Sequence, residues 1–465
     1  MSTPATLPGA DVMAETEIMQ RLSEYVAAAA KQPLPPNVLE KTKHHVLDTI
    51  ASMVSGSTLL PGQQAVSYVR GRGGVAEASV VASGLVTSIE NAALANAMLA
   101  HSDETDDSHA SQHHPGCGIV PAALAMGERE GASGAAFLSA VALGYDIGAR
   151  LNQSMVAIDF REAGHATHAF GALFGAGAAA GSLAGLDPRR VRYLFSYLVQ
   201  QASGVGSWVR DKEHVEKAFV FAGMNARHGV EAASMVQHGF TGEEDPFDGL
   251  HGFYFTFGRG LNPNPDELVR ELGSDYEILR TNIKRWTVGS PIQAPLDSLL
   301  ELIRSHGVQA EQVERVVVRV SHTGANTTND RTMPDISMQH MCAVMLLDGI
   351  VTFESSHDEE RMHDPATADL RSRIELLGDD ELQRLLPERQ GIVEVQLKDG
   401  RTLSHRTISV HGTAENPMST EEVDEKCYHL MTPVLGEQRS RSLCDAVWSL
   451  DSLPNLRDLR SLLMA

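Results

Sequence analysis

AFGALFGAGAAAGSLAGL, residues 169–186, is the most lipid-like stretch of the chain, and its reading separates a membrane protein from a water-soluble helical one. It is mostly Gly and Ala, which contribute little transfer energy, and Asp187-Pro188 follows at once. A membrane span needs about twenty strongly apolar residues. The stretch is therefore read as a helix buried by close packing of small residues.

Outward from it the chain keeps a helical period. Residues 16–31, 37–56, 87–101, 119–128, 132–151, 167–184, 188–203 and 217–237 carry apolar positions at helical spacing or Ala-rich runs. Breaks fall at residues 33–36, Gly62, the polar run 102–116, Gly131, residues 185–188 and Gly239. Only residues 78–82 in this half read as a strand. After about residue 270 the pattern changes. Val313–Ser321 (VERVVVRVS) is β-branched and alternating, and residues 391–397 and 402–410 flank Lys398-Asp399-Gly400-Arg401, a hairpin signal. Helical patterns at 293–306, 335–349 and 366–376 lie between. Helix resumes near residue 418, where Met418-Ser419-Thr420-Glu421-Glu422 supplies its own cap. The expected fold is mainly α. A large all-helical domain covers residues 1–268, a smaller α+β domain 269–413, and C-terminal helices 414–465.

Composition sets further limits. The 465 residues suffice for two or three domains, and 42% hydrophobic with 21% charged residues argues against disorder. A net charge of −22 argues against a nucleic-acid partner and against docking on an anionic membrane. If the ligand is an anion, a local cluster of Lys, Arg and His must overcome that field. Cys117, Cys342, Cys427 and Cys444 form no CxxC pair and read as reduced thiols of a cytoplasmic protein. The first thirty residues have no basic start followed by an apolar core, so no secretory signal is expected.

The polar run HSDETDDSHASQHHPG, residues 101–116, is the densest chemical signal, with four acids and four histidines in its first fourteen positions. Carboxylate beside imidazole suits proton transfer near neutral pH. A solvated loop that caps the next helix is the plain alternative. A metal site is a third reading, because Asp and His also ligate iron or zinc, although neither HExxH nor EF-hand spacing is present. Further on, His165 stands at the mouth of the Gly/Ala-rich helix, where backbone amides attract anions. The glycines Gly171, Gly175, Gly177 and Gly181 do not make GxGxxG, so no dinucleotide site is expected. Residues 210–219 alone would be a charged helix face. Lys284 and Arg285 form a basic pair near the domain junction, suited to holding carboxylates.

Several motifs recur in a recognisable order. Residues 91–96 (NAALAN) run into the acidic loop, followed by His114-Pro115-Gly116 and residues 121–125 (PAALA). Then come Gly144-Tyr145-Asp146-Ile147, His165-Ala166-Thr167, Gln201-Ala202-Ser203-Gly204, Ala226-Arg227-His228-Gly229, Gly239-Phe240-Thr241-Gly242 and Leu346-Leu347-Asp348-Gly349. In this order they resemble the MmgE/PrpD family over nearly the whole chain. That family includes 2-methylcitrate dehydratase, cis-aconitate decarboxylase and an iminodisuccinate epimerase. The resemblance implies C-terminal helices that return to the helical domain, a homodimer, no metal or other cofactor, and a small di- or tricarboxylate substrate.

Family active-site positions fall on Glu104 (where decarboxylase-like members have Asp), Ser108, His114, His165, Lys217 and Lys284. Asp107, Arg285, Gln293 and His340 are the substrate-contact candidates. Three departures touch the implied pocket: the Lys-x-x-His motif loses its histidine after Lys217, His340 stands for a Tyr, and residues 288–293 replace a Tyr-Pro-x-Cys region. The shared chemistry is removal or delivery of a proton beside a carboxylate, with fixed cations offsetting the charge that develops. The expectation is that His114 or His165 exchanges this proton, with Glu104 or Asp107 orienting an imidazole. Water loss of the methylcitrate dehydratase kind ranks first, epimerisation next, then decarboxylation. A non-catalytic, metabolite-binding helical dimer is the reading of another class.

Overall fold

The structure is a computed structural model that describes residues 17–464; residues 1–16, on which the expectation of no secretory signal largely rests, and residue 465 lie outside it. Helices Glu17–Ala29, Pro36–Gly56, Ile89–Ala100, Pro115–Glu130, Gly134–Ser154, Thr167–Leu183, Pro188–Gln201 and Met224–Gln237 stand where the helical period places them. Helix Leu60–Arg70 does not show in the sequence, because Pro61 and Gly62 look like a break. Pro61 sits in the first turn, where its missing N–H leaves nothing unsatisfied.

Thr167–Leu183 is buried along its whole length. Its glycines let it touch Gly134–Ser154 backbone to backbone. A Cβ on Gly144 would stand 2.9 Å from the Gly175 carbonyl oxygen, and one on Gly148 would stand 2.5 Å from that of Gly171. Small residues here serve contact between helices. Among the described residues no helix is long and apolar enough to cross a membrane.

The second unit holds a four-stranded sheet in the order Ile374–Asp379, Val313–Ser321, Gly391–Leu397, Thr402–Thr407. Val313–Ser321 runs parallel to the first of these, with Val316 opposite Ile374, and antiparallel to the third, with Val318 opposite Val393. Helices Ser290–His306 and Met338–Asp348 cover it. One expectation is corrected. The helical pattern over 366–376 stops at Arg371, and Ile374–Asp379 is a strand. The open side of Val313–Ser321 offers ladder partners, and Ile374 is buried in the sheet's core, so tertiary pairing overrides the local pattern.

Two hydrophobic cores result. One joins helices from Met19 onward to the tail from Met418 to Leu463; the other spans Trp286 to Leu397. The tail reaches the first core because Thr420–Leu435, capped by Ser419 and Glu422, lies along Pro36–Gly56. There Lys426 Nζ donates to Asp48 Oδ1 at 2.6 Å.

Candidate active site

A cavity of about 640 Å³ lies between the two cores and is lined from both. Glu104, Ser108, His114, Arg161, His168, His214, Lys217 and Phe221 line it from the helical side; Gln293, Arg331, Arg389 and residues 408–415 line it from the other, with Lys284 where the two meet.

The acidic loop forms the floor, and nearly all of it is buried, which excludes the solvated-loop reading. A buried loop must satisfy its own polar groups, and its acids do this. Asp106 accepts from His101 Nδ1 and from His114 Nδ1, each at 2.9 Å. Asp107 accepts from His45 Nδ1 at 2.8 Å, the Tyr145 hydroxyl at 2.6 Å and the Gly116 amide at 2.9 Å. A Cβ on Gly116 would stand 2.5 Å from Thr49 Oγ1 and 2.8 Å from the Tyr145 hydroxyl, so the His-Pro-Gly step needs its glycine. Ser108 is fixed by paired backbone bonds with Asn282, at 3.0 and 2.8 Å, which bring the loop to the segment carrying Lys284.

Lys284 Nζ donates to the Glu104 carbonyl at 2.8 Å and lies 3.4 Å from Glu104 Oε2 and 3.7 Å from Asp106 Oδ1. Lys217 Nζ pairs with the other oxygen of Glu104 and sits 5.1 Å from the Phe221 ring centre. The expected helix 217–237 is broken there: Phe219–Gly223 is a π-helical turn, a feature frequent at functional sites. It carries Phe221 into the wall, stacked on His168 at 3.8 Å and on His101 at 4.6 Å.

These contacts set the charges. Burial pushes the Glu104 carboxyl up, but Lys217, Lys284, His214 and His114 more than reverse this and hold it well below the usual carboxylate range. Asp106 is likewise raised by burial and then pulled well below it by His101 and His114. Burial lowers Lys284, yet Glu104, Asp106 and Asp103 leave it above its ordinary value. Burial pushes His114 down, with Asp106 opposing, and holds His168 and His214 well below the imidazole range. Near neutral pH the site therefore holds ionised Glu104 and Asp106, a charged Lys284, and neutral imidazoles at His114, His168 and His214. With Nδ1–H of His114 given to Asp106, Nε2 is its bare nitrogen.

The cavity brings together Glu104, Ser108, His114, Lys217, Lys284 and Gln293. Gln293 uses its amide on the backbone of Trp286 and Val288. Four candidates lie elsewhere. His165 precedes the first helical residue, Thr167, and stacks on Phe160 at 4.3 Å; His168, one turn on, faces the cavity instead. Asp107 is an anchor behind the loop, and the acid that orients His114 is Asp106, not Glu104 or Asp107. Arg285 lies over the Trp286 ring, and His340 is fully buried inside the second core's helix Met338–Asp348.

The residues the sequence did not single out are Asp106 as the orienting acid, His168, His214, and the arginines Arg161, Arg331 and Arg389. His214 adopts a left-handed backbone (φ 62°) just before Lys217. Its Nε2 is buried without a partner. No spacing rule flags it, but a histidine three residues before Lys217 is a visible signal.

Among the described residues two groups could hold a metal ion: His101, Asp106 and His114, and His101, Glu104 and His214, each with ligand atoms within 4.8 Å of one another. Both fit poorly. Asp106 already takes two imidazole N–H donors and Glu104 two ammonium groups, and a dication would have to displace these.

A helical body and a smaller α+β unit that meet over a cavity lined by lysines, arginines and histidines define a two-part protein with its candidate site at the junction. The chain belongs to the MmgE/PrpD family: its N-terminal domain model matches residues 20–266 and its C-terminal domain model residues 286–451. It is 24% identical to a cis-aconitate decarboxylase of Aspergillus terreus, over 98% of both chains. It is 23% identical to the cis-aconitate decarboxylase-like protein oryM of Aspergillus oryzae, over 97% of this chain and 98% of that one. The human cis-aconitate decarboxylase is 24% identical over 92% of this chain and 91% of its own.

Proposed function

We propose that this protein is a metal-independent lyase that moves a proton beside a carboxylate of a small di- or tricarboxylate, with His114 exchanging that proton. The observation that carries the reading is the 2.9 Å bond from His114 Nδ1 to Asp106, on the wall of a cavity that also holds Lys284 and Lys217. Asp106 fixes the tautomer, so Nε2 faces the ligand as a base. Lys284 and Lys217 offset negative charge that develops on the substrate carboxylate.

Among outcomes, loss of carbon dioxide moves ahead of water loss, because the curated relatives named above are decarboxylases or decarboxylase-like. In that reaction the carbon–carboxylate bond breaks, its electron pair stays on carbon, and a proton delivered from the His114 side forms the new C–H bond. Binding of a polyanion raises the imidazole's pKa and lets it carry that proton. Water loss is the second reading, favoured by the neutral state of His114. Nε2 takes the C–H proton, the C–H electron pair becomes the double bond, and the hydroxyl leaves as water with a proton returned by the His114 imidazolium.

Proton NMR in heavy water on cis-aconitate, citrate and 2-methylcitrate separates the outcomes. Carbon dioxide loss from aconitate is expected, and water loss from citrate or methylcitrate would install the second reading. Inertness toward every polycarboxylate would remove both. Full turnover after exhaustive chelation is expected; stoichiometric metal that restores lost activity would contradict metal independence.

A further inference from the structure

Arg161, Arg331 and Arg389 line the same cavity, and among the described residues none of the three pairs with a carboxylate. Where acids stand close, arginines of this chain do pair: Arg270, Arg361 and Arg441 hold acids at 2.5 to 2.6 Å. Arg161 stands in the last turn of the short helix Ala157–Glu162 on the helical side and spends one N–H on Gln112 Oε1 at 2.8 Å. Arg389 comes from the loop before strand Gly391–Leu397, on the opposite side, and makes no hydrogen bond there. The nearby acid Glu388 accepts from Gln390. Glu104 is taken by the lysines.

We propose that Arg161 and Arg389, one from each side of the junction, form a second carboxylate site, so that the ligand carries a carboxylate beyond the one beside the reacting carbon. The inference rests on the reading of the cavity as a polycarboxylate site and deepens it: a tricarboxylate is preferred. Like charges facing one cavity repel, and Arg389 shows this, since burial and then the field of Arg161 push it down to about 10. A carboxylate between the two guanidinium groups removes the conflict with paired, charge-assisted bonds. Neither arginine touches His114, so their contact is the same in the ground and transition states, and they act as binding residues.

The test is calorimetric binding of propane-1,2,3-tricarboxylate, an unreactive probe, to the full chain. Arg389 makes no hydrogen bond or ion pair among the described residues, so Arg389→Gln should fold normally and bind the probe roughly tenfold more weakly or worse. Arg161→Gln should do the same, Arg389→Lys should recover part of the loss, and Arg285→Gln, outside the cavity, should bind as the unaltered chain does. On a turned-over substrate Arg389→Gln should raise KM and leave kcat nearly unchanged. If both Arg389→Gln and Arg161→Gln bind the probe within twofold of the unaltered chain while that chain still turns over a polycarboxylate, the clamp is wrong and the lyase reading stands. If the unaltered chain neither binds the probe nor turns over any polycarboxylate, both fall.

Discussion

On the helical side of the cavity the acids are already matched: Glu104 by Lys217 and Lys284, Asp106 by two imidazoles, Asp107 by an imidazole, a phenol and an amide. On the α+β side Arg331 and Arg389 have no carboxylate at all. The first wall neutralises itself, so its geometry exists before any ligand arrives, as preorganised electrostatic catalysis requires. Among the described residues, the second wall carries arginines without ion-pair partners, which the proposed carboxylate ligand would pair. On the proposed reading, the chemistry falls to the paired helical wall, while recognition is shared across the junction by Arg161 and Arg389. Against a net charge of −22, the cavity still gathers Arg161, Lys217, Arg280, Lys284, Arg331 and Arg389, the local cluster of cations that an anionic ligand would need.

The contrast can be broken most sharply on the paired wall. His114→Gln should lower kcat by about a hundred- to ten-thousandfold, the usual worth of a positioned acid or base, with circular dichroism and melting unchanged. Lys284→Met should cost stability as well as activity, by about 3–5 kcal/mol in denaturant unfolding, because it leaves Glu104 and Asp106 buried with less positive charge. A loss under ~1 kcal/mol would mean that the wall is not held together by its charges.

The helix contact beneath that wall predicts a smaller effect. Gly144→Ala should destabilise by about 1–3 kcal/mol, since its Cβ would meet Ile119 Cγ2 at 2.4 Å and the Gly175 carbonyl at 2.9 Å. Unchanged melting would refute the close backbone packing.

The smallest effect concerns the junction. His357 of the α+β unit lies 3.0 Å from Asp103 of the acidic loop. Burial lowers this imidazole, but Asp103 and Asp335 outweigh burial and raise it from 6.5 to about 9. A raised pKa means that the bound proton stabilises the folded state. That contribution is complete below pH 6.5 and fades as the pH climbs through about 9. Between those values the chain should lose about 1 kcal/mol or more relative to His357→Gln. Parallel pH profiles of the two would disprove the pairing.

Much of this was legible in the sequence, and the exceptions have physical causes. The Gly/Ala helix, the hairpin at Asp399-Gly400 and the Ser419 cap are local signals, and the chain obeys them. Strand Ile374–Asp379 was hidden because its only reason to be a strand is the parallel partner sixty residues away. The loop at 101–114 announced acid–base chemistry by composition, yet spacing could not say which acid faces which imidazole. Asp106 and Asp107 are neighbours that point to different histidines, a consequence of burial on all sides. His165 and His168 differ by one helical turn, and the helix start at Thr167 decides which reaches the cavity. Arg161 and Arg389 look like ordinary surface arginines in sequence, because the absence of a partner is visible only in space.

The central claim is that His114, held by Asp106, moves a proton at carbon. Deuterium incorporation at the carbon beside a substrate carboxylate, followed by NMR in heavy water for the unaltered chain and for His114→Gln, tests it most directly. The account predicts label in the substrate or product of the unaltered chain and almost none with the variant at equal binding. Equal labelling by both proteins would contradict it.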